Sequence, residues 1–181
     1  MTGRGLLGAV LAGGRSQRFG SDKALALLNG RPLIRHAIER LAACCDAVVV
    51  VGRDWPGHAR VEDHPGPGLG PLAGLCGALL HAGHHGFAHV LCVPCDTPGL
   101  PPDLVRRLAP APAVADGHWT IGLWPAALGP ALAARITAGA PMAMRGFAAD
   151  AGARQVPLPG LVNVNRPGDL AAGRNGSSSP G

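Results

Sequence analysis

The chain contains no tyrosine, and aromatic residues make up only 3% of its 181 positions. Proteins that hold single-stranded nucleic acid stack bases on aromatic faces in a basic groove, and here that platform is missing. The formal charge of +5 permits nucleic acid, an anionic membrane surface or a phosphorylated small molecule without choosing among them; with that platform missing, a small polyphosphate is expected and no nucleic acid. No apolar run reaches eighteen residues, the length a membrane helix needs, so no membrane association is expected. The stretch Met1 to Gly14 also lacks the successive basic, apolar and cleavage regions of a secretory signal. Together these absences lead to the expectation of a cytoplasmic protein.

Charged residues are scarce too, at 15% against 47% hydrophobic, which lets a chain of this length bury one substantial core. The five cysteines, Cys44, Cys45, Cys76, Cys92 and Cys95, are odd in number and sit in apolar segments. That pattern reads as reduced, mostly buried thiols. Cys92-Val-Pro-Cys95 has redox or zinc spacing, without a second pair to complete a tetrahedral site. His81, His84, His85 and His89 have no acidic partner near them, so they read as solvated or helix-capping residues rather than metal ligands. Lysine is nearly absent: fifteen of the sixteen basic residues are arginine, and the exception is Lys23.

Apolar runs rich in β-branched residues alternate with helical spacing. Leu6–Leu11, Ala47–Val51 and Ala88–Val93 read as strands, and Pro32–Cys45 and Pro71–His81 as helices. Later segments give a strand at Thr120–Leu123, helices near Ala127–Thr137 and Met142–Ala149, and a strand near Arg154–Pro157. This rhythm predicts βαβ units: an α/β fold with a mainly parallel sheet covered on both faces. Residues 1–172 are expected to form one domain, and the Gly/Ser-rich stretch 173–181 a disordered tail.

The segment Leu11-Ala-Gly-Gly-Arg-Ser-Gln-Arg-Phe-Gly-Ser-Asp-Lys23 begins where the first strand ends, the place where open parallel sheets bind ligands. Gly13, Gly14 and Gly20 let the backbone approach phosphate oxygens, while Arg15, Arg18 and Lys23 supply positive charge. The spacing is neither the dinucleotide fingerprint nor the Walker loop. Asp96, in Val93-Pro-Cys-Asp-Thr-Pro98, follows a second strand. A carboxylate facing a triphosphate implies a cation between them, and Mg²⁺ meets that need. Asp63 precedes a loop dense in Pro and Gly, and Asn163 and Asn165 fall on one face of an expected short strand.

Four segments in order, Leu-Ala-Gly-Gly-x-Ser-x-Arg-Phe-Gly-x-Asp-Lys at 11–23, Gly-Pro-Leu-Ala-Gly-Leu at 70–75, Pro-Cys-Asp-Thr-Pro at 94–98 and Asn-Val-Asn-x-Pro-x-Asp-Leu at 163–170, closely resemble the molybdenum cofactor guanylyltransferase family. The resemblance implies a single-domain, three-layer Rossmann-like nucleotidyltransferase. It would use Mg²⁺ to transfer GMP from GTP to Mo-molybdopterin, with pyrophosphate released. It assigns Leu11, Ala12, Gly13, Gly14 and Val51 to the nucleotide, Lys23 to its phosphates, Asp63 to the nucleotide pocket and Asp96 to nucleotide and metal. Lys23, Asp96 and Arg18 become the catalytic set, and Asn163 and Asn165 fall at the pterin side or the metal shell.

The resemblance further implies that guanine-using members carry glycine at position 13 and cytosine-using ones alanine. It extends to transient contacts with molybdenum cofactor biosynthesis proteins and apo-molybdoenzymes. Two departures stand out. Val51 occupies the strand end where relatives often have asparagine, and Ala140-Pro141-Met142 lacks a basic residue expected before the late helix. A cytidylyltransferase acting on the same cofactor, a related nucleotidyltransferase, and a non-catalytic nucleotide or cofactor carrier are the competing readings.

Overall fold

The computed structural model describes residues 5–13, 22–161, 163 and 164. In chain order it contains β1 (Leu6–Leu11), the short strands β2 (Leu27–Leu28) and β3 (Arg31–Pro32), α1 (Leu33–Ala42), β4 (Ala47–Val51), β5 (Ala59–Val61), α2 (Pro71–His84) and β6 (His89–Pro94). There follow α3 (Leu104–Leu108), β7 (Ala113–Ala115), β8 (His118–Pro125), α4 (Gly129–Thr137), α5 (Met144–Asp150) and β9 (Arg154–Val156). The tail and the expected boundary at residue 172 lie outside the described residues, as do Gly14, Arg18 and Asn165.

Seven strands form one sheet in the order β5-β4-β1-β6-β8-β7-β9. β1 runs parallel to both neighbours, with Val10 beside Val50 of β4 and Val93 of β6. β5 pairs in parallel with β4 and β9 with β7, while β8 runs antiparallel to β6 and β7. The mainly parallel sheet is therefore as expected, and its C-terminal edge gathers the ends of β1, β4 and β6.

Both sheet faces are covered because the central strands have no polar side. Val10, Val50, Leu91 and Val93 pack with Ile34, Ala37, Ile38 and Leu41 of α1 and Leu104 and Leu108 of α3. On the other face Leu7, Ala9, Val49 and Cys92 pack with α2, with Leu132 and Ile136 of α4, and with Phe147 of α5. α1 shows the period that predicted it, its outer face carrying an exposed Arg35–Glu39 (i, i+4) pair at 2.9 Å. α2 is apolar almost all round, since it lies between the sheet and α4. A β-carbon on Gly129 at the start of α4 would stand 3.1 Å from the backbone of Leu79 and Leu80.

The structure corrects several boundaries. α1 ends at Ala42, leaving Cys44 and Cys45 in the turn that follows, and α2 continues to His84. Cys76 and Cys92 are buried, whereas Cys44, Cys45 and Cys95 are only partly so. The strand expected at Asn163 is not formed: residues 163 and 164 have irregular backbone. Val164 donates its N–H to the carbonyl of Asp96, 2.9 Å away, so the segment is pinned to a loop rather than to a strand. β5, β7 and α3 were not legible, being three to five residues long with no period to read.

Candidate active site

The backbone ladder continues past the strand ends and fixes the floor of a cleft. Ala12 N–H donates to the Val51 carbonyl at 3.0 Å, Cys95 N–H to the Leu11 carbonyl at 3.2 Å, and Gly52 N–H to the Val61 carbonyl at 2.9 Å. Gly52 has φ +82°, and a β-carbon there would stand 2.5 Å from the Gly13 Cα. Only glycine meets both demands, the left-handed backbone and the close approach. Val51 thus contributes a main-chain acceptor to this floor.

Above this floor opens a cavity of about 320 Å³ lined by Leu11, Ala12, Gly13, Lys23, Asp63 and Asp96, among others. Val51 also reaches its wall. Every described residue that the sequence assigned to the nucleotide is therefore brought to one place. Asn163 does not line the cavity but stands directly behind it.

At one end Lys23 Nζ meets Asp96 Oδ2 at 2.6 Å, with side chains only 14% and 21% exposed. Lys23 begins a single 3₁₀ turn, Lys23–Leu25, capped by Asp22, whose carboxylate accepts from Ala24 N–H at 3.2 Å. Asp22 is held in turn by Arg53, which reaches across from just beyond β4. This bidentate pairing holds the Asp22 carboxyl below its ordinary value and raises the Arg53 guanidinium. Thr97, fully buried, donates its hydroxyl to Asn163 Oδ1 at 2.6 Å, tying Asn163 to the Asp96 loop.

At the other end Asp63 faces Gly13 and Gly74. A β-carbon at Gly13 would lie 3.6 Å from Asp63 Oδ2, and one at Gly74 3.3 Å from Oδ1. Burial pushes the Asp63 carboxyl above its usual range; an N–H from Gly68 pulls it partly back, and nearby Glu62 adds to the rise. α2 begins at Pro71, which has no N–H, behind a Gly70 with φ +87°; Ala73 N–H donates to the Gly70 carbonyl at 3.1 Å, and Gly70, Pro71 and Gly74 line the cavity.

Sequence reasoning passed over Asp22, Arg53, Thr97 and Thr120. Asp22 and Thr97 stood inside quoted motifs without a stated role. Arg53 carried a signal in its place just after a strand end, whereas Thr120 enters the wall only because β8 runs antiparallel to β6. The histidines keep clear of the cleft: His81 and His85 stack at 4.0 Å at the end of α2, with His85 at the C-cap. Among the described residues no group of three His, Cys, Asp or Glu forms a metal cluster.

Residues 8–156 match the MobA-like NTP transferase domain. The molybdenum cofactor guanylyltransferase of Acidiphilium cryptum is 36% identical, over 97% of each chain, and that of Cereibacter sphaeroides is 37% identical, over 92% of this chain and 94% of the relative. Among solved structures, molybdopterin-guanine dinucleotide biosynthesis protein A from Archaeoglobus fulgidus superposes with a TM-score of 0.72 at 22% identity, over 92% of this chain and 95% of that one. A putative protein from Aquifex aeolicus superposes with a TM-score of 0.69 at 24% identity, over 87% and 92%. Sequence and fold together place this chain in the MobA-like NTP transferase family.

Proposed function

We propose that the protein transfers GMP from GTP to the terminal phosphate of Mo-molybdopterin, forming the guanine dinucleotide of the cofactor and releasing pyrophosphate. The observation that carries this reading is the Lys23–Asp96 pair at the sheet's C-terminal edge, in one cleft with Gly13 and Asp63. The names of the relatives support the choice of substrates. An oxygen of the acceptor phosphate forms a bond to the α-phosphorus of GTP, and the bond from that phosphorus to the β-phosphate's bridging oxygen breaks. The nucleophile is already anionic, so no general base is needed, and the protein's part is positioning and charge stabilisation.

In this reading the Gly13 and Asp63 end receives guanine, and Lys23 places its ammonium on the phosphates, with Gly14 and Arg18 adding to their grip. Asp96 is a carboxylate that lines the cleft, and one carboxylate with substrate phosphates and waters is the usual way Mg²⁺ is held. Bound there, Mg²⁺ would neutralise charge on the polyphosphate. Asp96 provides the carboxylate, Thr97 fixes Asn163 behind it, and Asn165 extends the acceptor side. Five unpaired thiols and the absence, among the described residues, of a helix long and apolar enough to cross a membrane accord with work in the cytoplasm. There the product would pass by transient contact to apo-molybdoenzymes.

The test is pyrophosphate release from GTP, Mg²⁺ and Mo-molybdopterin. Release that needs all three supports the reading. Tight GTP binding with no turnover would favour the carrier, and equal use of CTP the cytidylyl alternative.

A further inference from the structure

Consecutive residues Asp22 and Lys23 reach in opposite directions across the end of β1. Asp22 goes to Arg53, beyond β4, with Arg53 Nη1 at 3.1 Å from Oδ1 and Nη2 on Oδ2. Lys23 goes to Asp96, beyond β6. Because β1 lies between those two strands, the returning chain is tied to both neighbours at once. Asp22 Oδ1 also receives Ala24 N–H, so the carboxylate that Arg53 grips is the one that sets the backbone from which Lys23 projects.

We infer that Arg53 is a positioning residue, one that holds the Lys23 ammonium in place by clamping Asp22. This rests on the transferase reading only for its kinetic arm. Two physical effects act together. A planar guanidinium grips both carboxylate oxygens and fixes the rotation of Asp22, which a lysine cannot reproduce. Asp22 also lines the cavity, and with Arg53 gone its unpaired negative charge would face the triphosphate beside Lys23. The paired Arg53 charge is spent on Asp22, so its effect on phosphate passes through that residue rather than by direct contact. Arg53 is only 25% exposed, against 39% for Asp22, as suits a clamp more than a free anion receptor.

The experiment exploits the single lysine of the chain. Protein labelled with ¹³C-lysine gives one side-chain Cε–Hε cross-peak, that of Lys23, without any need for turnover. In the free wild-type protein it should sit away from the position of a solvated lysine. In Arg53→Gln, in Arg53→Lys and in Asp22→Asn it should move toward that position, while methyl signals of the core stay put. In kinetics, Arg53→Ala should lower kcat about tenfold or more, with the KM for GTP changed less. Asp22→Ala combined with Arg53→Ala should be no worse than Arg53→Ala alone, since residues acting as a unit are not additive. An unmoved Lys23 peak in Arg53→Gln overturns the inference, as does full additivity of the two alanine variants. Absence of guanylyl transfer by the wild type would instead overturn the function, leaving the spectroscopic arm to judge Arg53.

Discussion

The Lys23 ammonium lies 2.6 Å from Asp96 Oδ2, each side chain coming from a loop that follows a different, directly paired strand. The pair joins the two loops that the parallel sheet sets side by side, and each partner neutralises the other while no polyphosphate is bound. Replacing Asp96 with Ala should lower kcat by roughly 10²–10³, the scale for losing a key electrostatic group, with the fold intact because the side chain is not a core one. Lys23→Arg should do nearly as much harm as Lys23→Ala, since the larger planar cation cannot occupy the space of an ammonium. Steady-state pyrophosphate release measures both; retention of most activity by the arginine variant would contradict the role given to Lys23.

Two glycines in α2 predict opposite outcomes for the same substitution. A β-carbon on Gly77 would stand 2.0 Å from the Glu62 carbonyl oxygen, whereas one on Gly83 would meet nothing within 4 Å. Gly77→Ala should therefore push α2 off the β5 side of the sheet, at a cost of about 1–3 kcal/mol. Gly83→Ala should stabilise by up to about 1 kcal/mol, through helix propensity alone. Denaturant unfolding of the two variants side by side tests the pair.

Asp63 predicts a pH dependence. Its folded-state carboxyl is raised above the usual range by burial, so the folded protein holds that proton more tightly than the unfolded chain. The resulting stabilisation is fully present below the unfolded pKa and is lost as pH rises through the folded one. Asp63→Asn removes the titration while keeping an oxygen to accept from Gly68. Its stability relative to wild type should rise with pH across the carboxylate range, as followed by urea unfolding at several pH values. GTP binding should weaken in the same variant if guanine donors face this carboxylate.

Gly13→Ala should depress GTP use relative to CTP. Its β-carbon would approach the Gly52 Cα to 3.2 Å and stand 3.6 Å from Asp63 Oδ2, so the methyl would crowd the wall on which the proposed purine rests. The change in selectivity should reach up to roughly a hundredfold. Competition between the two nucleotides measures it directly, and an unchanged ratio would count against placing guanine at this end.

The parts legible in the sequence were those with a period or a dense motif. α1 announced itself through Leu33, Ile34, Ala37, Ile38 and Leu41, and β4 through a run of valines. Lys23 and Asp96 were read as parts of one site because each follows a strand. Their direct contact was not readable, since it depends on β1 and β6 being sheet neighbours although nearly eighty residues separate them in the chain. The same applies to Arg53, an ordinary surface arginine until β4 lands on the other side of β1. Asn163 was misread as a strand residue because alternating Val and Asn imitates a strand; its buried partner Thr97 and the Val164 bond to Asp96 show that it serves as a loop buttress.

The reversal of direction between β6 and β8 sets which wall of the cleft can change on its own. α1 precedes β4 and α2 precedes β6 in the parallel part of the sheet, whereas Thr120 arrives on a hairpin whose turn is Asp116-Gly117. Lengthening or recolouring that hairpin would alter one wall without disturbing the spacing of the β1, β4 and β6 ends. That wall can therefore be reshaped through the hairpin alone, while the floor built by Gly13 and Gly52 and the Lys23–Asp96 pair keep their places.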